Sequence, residues 1–91
     1  MTIEREIEVT NKLGLHARAA AKLVRALAPF KSAVWLGNGS REINAKSIMG
    51  VMLLAAPMGS RLQLRIEGED EAAVLAAVLD LLERRFDEES P

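Results

Sequence analysis

Apolar and polar positions alternate at the start of the chain. Ile3, Ile7 and Val9 fall on one face of an extended segment and Glu4, Glu6 and Glu8 on the other, which predicts a strand over residues 2–9. Arg5 interrupts the apolar face. After a loop at Asn11-Lys12-Leu13-Gly14 the period lengthens, and Ala20, Leu23, Val24 and Leu27 recur at helical spacing until Pro29 stops the run. A first helix therefore begins at or beside His16. Ala33–Leu36, a Gly37-Asn38-Gly39 turn and a second short run through Ile43 predict a hairpin.

Residues 47–56 are apolar nearly throughout and predict a short second helix, opened by Ser47, closed before Pro57 and weakened by Gly50. Leu62, Leu64 and Ile66 then alternate with Arg61, Gln63, Arg65 and Glu67, the clearest strand in the chain. Gly68 ends it. Asp70 is expected to cap a last helix whose inner face carries Val74, Ala77, Val78, Leu81, Leu82 and Arg85, and residues 86–91 read as a frayed tail. The order β-α-β-β-α-β-α predicts an α+β fold: one domain over residues 1–91, with a four-stranded antiparallel sheet and helices on one of its faces.

Composition narrows the chemistry. A chain of 91 residues, 49% apolar and 27% charged, suits one globular domain with a modest core. With no cysteine and a single histidine, disulfides, thiolate catalysis and sulfur-ligated or His-rich metal sites are excluded, so no metal or cofactor is expected and the chain suits a reducing cytoplasm. The opening residues lack the basic-then-apolar layout of a signal peptide, and no apolar stretch reaches the ~18 residues of a membrane span, so no membrane insertion is expected. Net charge is −1, but it is unevenly spread: residues 1–66 hold ten Lys/Arg against four Glu, and residues 67–91 hold Arg84 and Arg85 against nine acids. A basic half suits an acidic partner or phosphate. Nucleic acid is not expected as a partner, given the acidic total and a sheet face read as free of stacking aromatics.

A lone histidine in a small domain is most often a surface or capping residue without chemistry. The setting of His16 argues for more. A side chain at a helix start overlies the unpaired first-turn N–H groups, here those of Ala17 and Arg18, and these with the helix dipole stabilise a bound phosphate. The Arg18 guanidinium can pair with phosphoryl oxygens, and Lys12 and Lys22 add positive potential. The imidazole is a competent nucleophile, so the stretch reads as the seat of a transient phosphohistidine. Without a Walker loop, an acidic Mg²⁺ cluster or a second base, the chain accepts phosphate and hands it on rather than drawing it from a nucleotide. A histidine with a purely chemical role would leave the thermal midpoint nearly unchanged when removed.

A second segment adds a surface. A short helix cannot bury Ile48, Met49, Val51, Met52 and Leu53 on one face, so Ile48, Met49 and Met52 are expected to form an exposed docking patch, to which methionine lends adaptability.

"NKLGLHARAAAKLV" (residues 11–24) and "INAKSIMGVMLLAAPMGSRLQLRIEGEDE" (residues 43–71) together resemble the histidine-containing phosphocarrier (HPr) family of the phosphoenolpyruvate-dependent phosphotransferase system, including its nitrogen-related branch, over nearly the whole chain. The resemblance implies the HPr open-faced β-sandwich and a phosphoryl carrier rather than an enzyme. His16 matches the histidine phosphorylated on Nδ1, and Arg18 its arginine partner. Enzyme I is the implied donor, and enzyme IIA proteins or domains are the implied acceptors. Ser47 matches the regulatory phosphosite of lineages that have an HPr kinase/phosphorylase, with Ile48, Met49 and Met52 as the docking surface around it. A monomer is expected. One departure stands out: many members have proline directly after the arginine, whereas this chain has Ala19, which keeps the helix but loosens its start. The competing reading is an interaction-only regulator that kept the fold and lost the relay.

Overall fold

The alternating segments become strands and the 3.6-period segments become helices. The computed structural model describes residues 2–88 in the order β1 (Thr2–Glu8), α1 (Ala17–Leu27), β2 (Ala33–Gly37), β3 (Glu42–Asn44), α2 (Ile48–Leu53), β4 (Arg61–Glu67), α3 (Glu71–Glu83) and a 3₁₀ turn at Arg85–Asp87. The sheet runs β1-β4-β2-β3 with every pair antiparallel. Thr2 stands opposite Glu67 and Glu8 opposite Arg61, so the apolar faces of β1 and β4 share one side.

That side is the core. Leu62, Leu64 and Ile66 of central β4 and Val34 and Leu36 of β2 are buried under Ala19, Ala20, Leu23 and Leu27 of α1 and Val74, Val78, Leu81 and Leu82 of α3. Each large side chain taken out of water contributes roughly 1.5–3 kcal/mol, and the paired alanines let α1 lie close to the sheet. Arg5 stays exposed on edge strand β1, where a charge discourages further strand pairing. On the outer face Trp35 carries the Arg65 guanidinium 3.9 Å from its ring centroid, and Arg65 also pairs with Glu42 at 2.8 Å. The outer face therefore does hold one aromatic, contrary to the sequence reading, and it is already covered by a cation.

The second helix is shorter than residues 47–56. After Leu53 the chain turns through Ala55, whose φ of +48° leaves the helical region, and this presents the Ala56 carbonyl to the Leu15 N–H at 2.9 Å. The loop before α1 thus rests on the exit from α2. Gly14 makes the approach possible: its φ is +71°, and a Cβ there would lie 2.4 Å from the Ala56 oxygen. Gly14→Ala is expected to destabilise the fold by at least about 2 kcal/mol, the strain of a left-handed alanine plus the displaced Ala56. Urea denaturation measures it, and a change below ~0.5 kcal/mol would contradict the account.

Asp70 occupies the N-cap position of α3, but its side chain makes no cap hydrogen bond. Its carboxylate instead accepts from the Lys31 N–H at 2.8 Å, the Ser32 N–H at 2.9 Å and the Ser32 hydroxyl. The expected cap is in fact a clamp on the loop before β2, reached because Gly68, with φ +151°, packs directly on Ser32. The Ser32 hydroxyl and the Lys31 N–H hold the Asp70 carboxyl below its usual range. A depressed carboxylate contributes stability above its unfolded value of about 3.9 and loses it as pH falls through the lower folded value. Urea midpoints measured downward from neutral pH should therefore fall less steeply below pH ~4 in Asp70→Asn than in the unaltered chain. Equal slopes would remove Asp70 from the acid response.

The last correction concerns residues 86–91. Phe86 is 3% exposed, within the core, and Glu88 is hydrogen-bonded, so residues 86–88 are docked rather than frayed. Residues 89–91 lie outside those described. Arg85, placed by sequence on the inner face of α3, is exposed because the helix ends at Glu83 and the chain reverses hand, sending Phe86 inward instead.

Candidate functional site

His16 caps α1. Its backbone is extended, its carbonyl accepts from the Ala20 N–H at 2.8 Å, and its Nδ1 accepts from the Arg18 N–H at 3.2 Å. Nδ1 therefore lies at the positive mouth of the helix, where first-turn N–H groups have no intrahelical partner. Ala17 and Arg18 are exposed beside it. Ala19 is buried, and the first turn closes regularly without a proline.

An open cleft beside this turn is lined by Lys12, Arg18, Lys22 and Arg25 on one side and by Phe86, Asp87 and Glu88 on the other. No hydrogen bond or ion pair engages the Arg18 guanidinium among the described residues, which leaves it available to an anion. Lys22 is not equally available, since Asp87 pairs with it at 3.2 Å while also accepting two 2.8 Å bonds from Arg84. The acidic end of the chain has folded onto the basic half.

Glu88 completes the surroundings of the imidazole. Its carboxylate lies 2.6 Å from His16 Nε2 and accepts from Asn11 Nδ2 at 2.6 Å and the Leu13 N–H at 3.3 Å. Partial burial works to raise its pKa, but the bonds from Asn11 and His16 and the Leu13 N–H outweigh it and hold the carboxyl below the usual range. The sequence reading missed Asn11, Asp87 and Glu88. A signal was present: Phe86, an aromatic set in an acidic tail, has little reason to be there unless it is buried.

Ser47 is the N-cap of α2, and its Oγ accepts from the Gly50 N–H at 3.0 Å. Around it Ile48, Met49 and Met52 are exposed, and Leu13, Leu53 and Met58 join them as large apolar side chains in water. Met52 and His16 line one shallow depression with Leu13, Leu15, Ala55, Ala56 and Pro57, so apolar surface runs up to the imidazole. Among the described residues no three His, Cys, Asp or Glu side chains group to hold a metal ion, and no helix is long and apolar enough to cross a membrane.

Residues 3–84 match the protein family described as "PTS HPr component phosphorylation site". A relative from Xylella fastidiosa strain Temecula1, named phosphocarrier protein HPr, is 54% identical over 88 residues, covering 97% of this chain and 99% of its own. The crystal structure of HPr from Thermoanaerobacter tengcongensis is similar with a TM-score of 0.90 at 43% identity, covering 97% of this chain and 99% of that one. A crystal structure of an HPr dimer from the same organism is similar with a TM-score of 0.75 at 44% identity, over 90% of this chain and 94% of that one.

Proposed function

The chain belongs to the HPr family and is a phosphocarrier protein of the phosphotransferase system, and on that premise we propose that His16 Nδ1 is the atom that carries the phosphoryl group. The supporting observation is the placement of Nδ1 at the N-terminus of α1, 3.2 Å from the Arg18 N–H and beside the unengaged Arg18 guanidinium. The Nδ1 lone pair attacks phosphorus in line. As the new P–N bond forms, the donor's P–N bond breaks and its electron pair returns to the donor imidazole. The Ala17 and Arg18 N–H groups and the Arg18 side chain stabilise the equatorial oxygens. The same geometry run backwards delivers the group to an acceptor histidine.

Enzyme I, charged by phosphoenolpyruvate, is the donor in this reading, and enzyme IIA proteins or domains are the acceptors. The chain is their substrate rather than an enzyme, and it works in the cytoplasm. Action as a monomer belongs to the same reading. Ile48, Met49 and Met52, with Leu13 and Leu53, form the docking face, and an HPr kinase/phosphorylase is the class of enzyme suited to modify Ser47.

The test is intact mass after incubation with phosphoenolpyruvate, Mg²⁺ and purified enzyme I, followed by mild acid. One acid-labile phosphate per chain is the expected result. No adduct, with the enzyme I of the same cell and a working HPr control, would overturn the reading in favour of an interaction-only regulator.

A further inference from the structure

Glu88, which contacts His16, lies beyond residues 3–84, the segment that the family model matches, and the contact calls for its own account. Nε2 faces a carboxylate, which only accepts, and Nδ1 faces the Arg18 N–H, which only donates. Both partners select the neutral tautomer with its proton on Nε2 and its lone pair on Nδ1. We infer that Glu88 is a positioning residue for phosphoryl transfer: it fixes the ring's tautomer and orientation and stabilises the positive charge the ring acquires as Nδ1 bonds phosphorus. The inference rests on the reading of His16 as the phosphoryl acceptor. No proton moves: it stays on Nε2 while the P–N bond forms, and again while it breaks in onward transfer. The carboxylate therefore assists both directions and lies on the far side of the ring from the incoming group.

The way Glu88 is delivered supports a defined role. Arg85, Phe86 and Asp87 take φ values of +53°, +54° and +59°, a left-handed run of non-glycine residues. Each costs roughly 1–2 kcal/mol, and such a run persists only where its surroundings hold it. Here Phe86 is sunk in the core, Asp87 is paired with Lys22 and Arg84, and Glu88 is bonded to three groups. Asn11, fully buried, reaches Glu88 and the Gly14 carbonyl with the same Nδ2, both at 2.6 Å. The tail is thereby tied to the loop that leads into His16.

The experiment compares the unaltered chain with Glu88→Gln and Glu88→Ala. Ring-¹⁵N NMR of His16 should show an exchange-protected Nε2–H in the unaltered chain and its loss in Glu88→Ala. Transfer from phosphorylated enzyme I should slow about tenfold in kcat for Glu88→Ala, by analogy with the lower end of losses when a carboxylate that orients a metal-bound imidazole is removed, with little change in KM. Glu88→Gln keeps an acceptor oxygen without the charge, so it should restore the protected N–H and only part of the rate. The inference is overturned if the unaltered chain is phosphorylated on His16 and Glu88→Ala equals it in rate and ring spectrum. A faster Glu88→Ala overturns it too, because Glu88 would then be a lock. Failure of the unaltered chain to take phosphate is a distinct result and overturns the acceptor reading itself.

Discussion

His16→Ala should carry no acid-labile phosphate after incubation with phosphoenolpyruvate and enzyme I, and it should also be less stable, by about 1–2 kcal/mol. The first part follows from losing the only imidazole in the chain. The second revises the expectation that removal leaves the thermal midpoint unchanged. His16 Nδ1 caps α1 through the Arg18 N–H, and replacing a capping side chain by alanine typically costs ~0.5–2 kcal/mol. Glu88 loses one of three partners but keeps Asn11 and the Leu13 N–H, so its carboxylate is not stranded. For a domain of this size 1 kcal/mol shifts the midpoint by about 4–8 °C, which places the expected fall well within calorimetric reach. His16→Asn separates the two roles, since asparagine caps helices well but forms no phosphohistidine. It should recover most of the stability and none of the phosphate. A phosphate that persists in either variant would move the acceptor elsewhere, and a loss above ~4 kcal/mol would mark the histidine as structural.

How far the site was legible depends on whether a contact is local. The start of α1 at His16 is set by neighbours within one turn, and the alternation of β4 by its own pleat, so both could be read directly. The exposed apolar cluster was partly legible for the same reason: six helical residues cannot bury Ile48, Met49, Met52 and Leu53 together. What failed was long-range. Asp70 fits the local pattern of a cap, yet its carboxylate is taken by Lys31 and Ser32, some forty residues earlier in the chain. The tail "RRFDEES" has a disordered composition, and only the three-dimensional closeness of Lys22, Asn11 and His16 turns Asp87 and Glu88 into ordered partners. The charge asymmetry between the two halves was visible from the start. Its consequence, an acidic end closing on a basic site, required the fold.

Ser47→Asp should slow phosphorylation of His16 by enzyme I by between tenfold and a hundredfold, or roughly 1.4–2.8 kcal/mol, while Ser47→Ala stays near the unaltered rate. The Ser47 Oγ caps α2 through the Gly50 N–H, so alanine should cost about 1 kcal/mol of stability yet leave the surface uncharged. Aspartate keeps the cap but sets a charge among Ile48, Met49, Met52 and Leu53, which are 42%, 68%, 39% and 58% exposed. Phosphate, with about two negative charges, acts in the same direction more strongly and at the same time favours the start of α2. In the proposed mechanism the charge acts on docking and not on the chemistry at Nδ1, so the slowing should appear in KM rather than kcat. Ser47→Asp no slower than Ser47→Ala would refute the mechanism. Salt then distinguishes its cause. If the penalty is desolvation of a charge within an apolar contact, added salt recovers little of the rate, whereas repulsion between exposed charges would be screened away within about a Debye length. A salt-resistant defect in Ser47→Asp is therefore the expected result if, as proposed, the partner covers Ile48, Met49 and Met52 on docking.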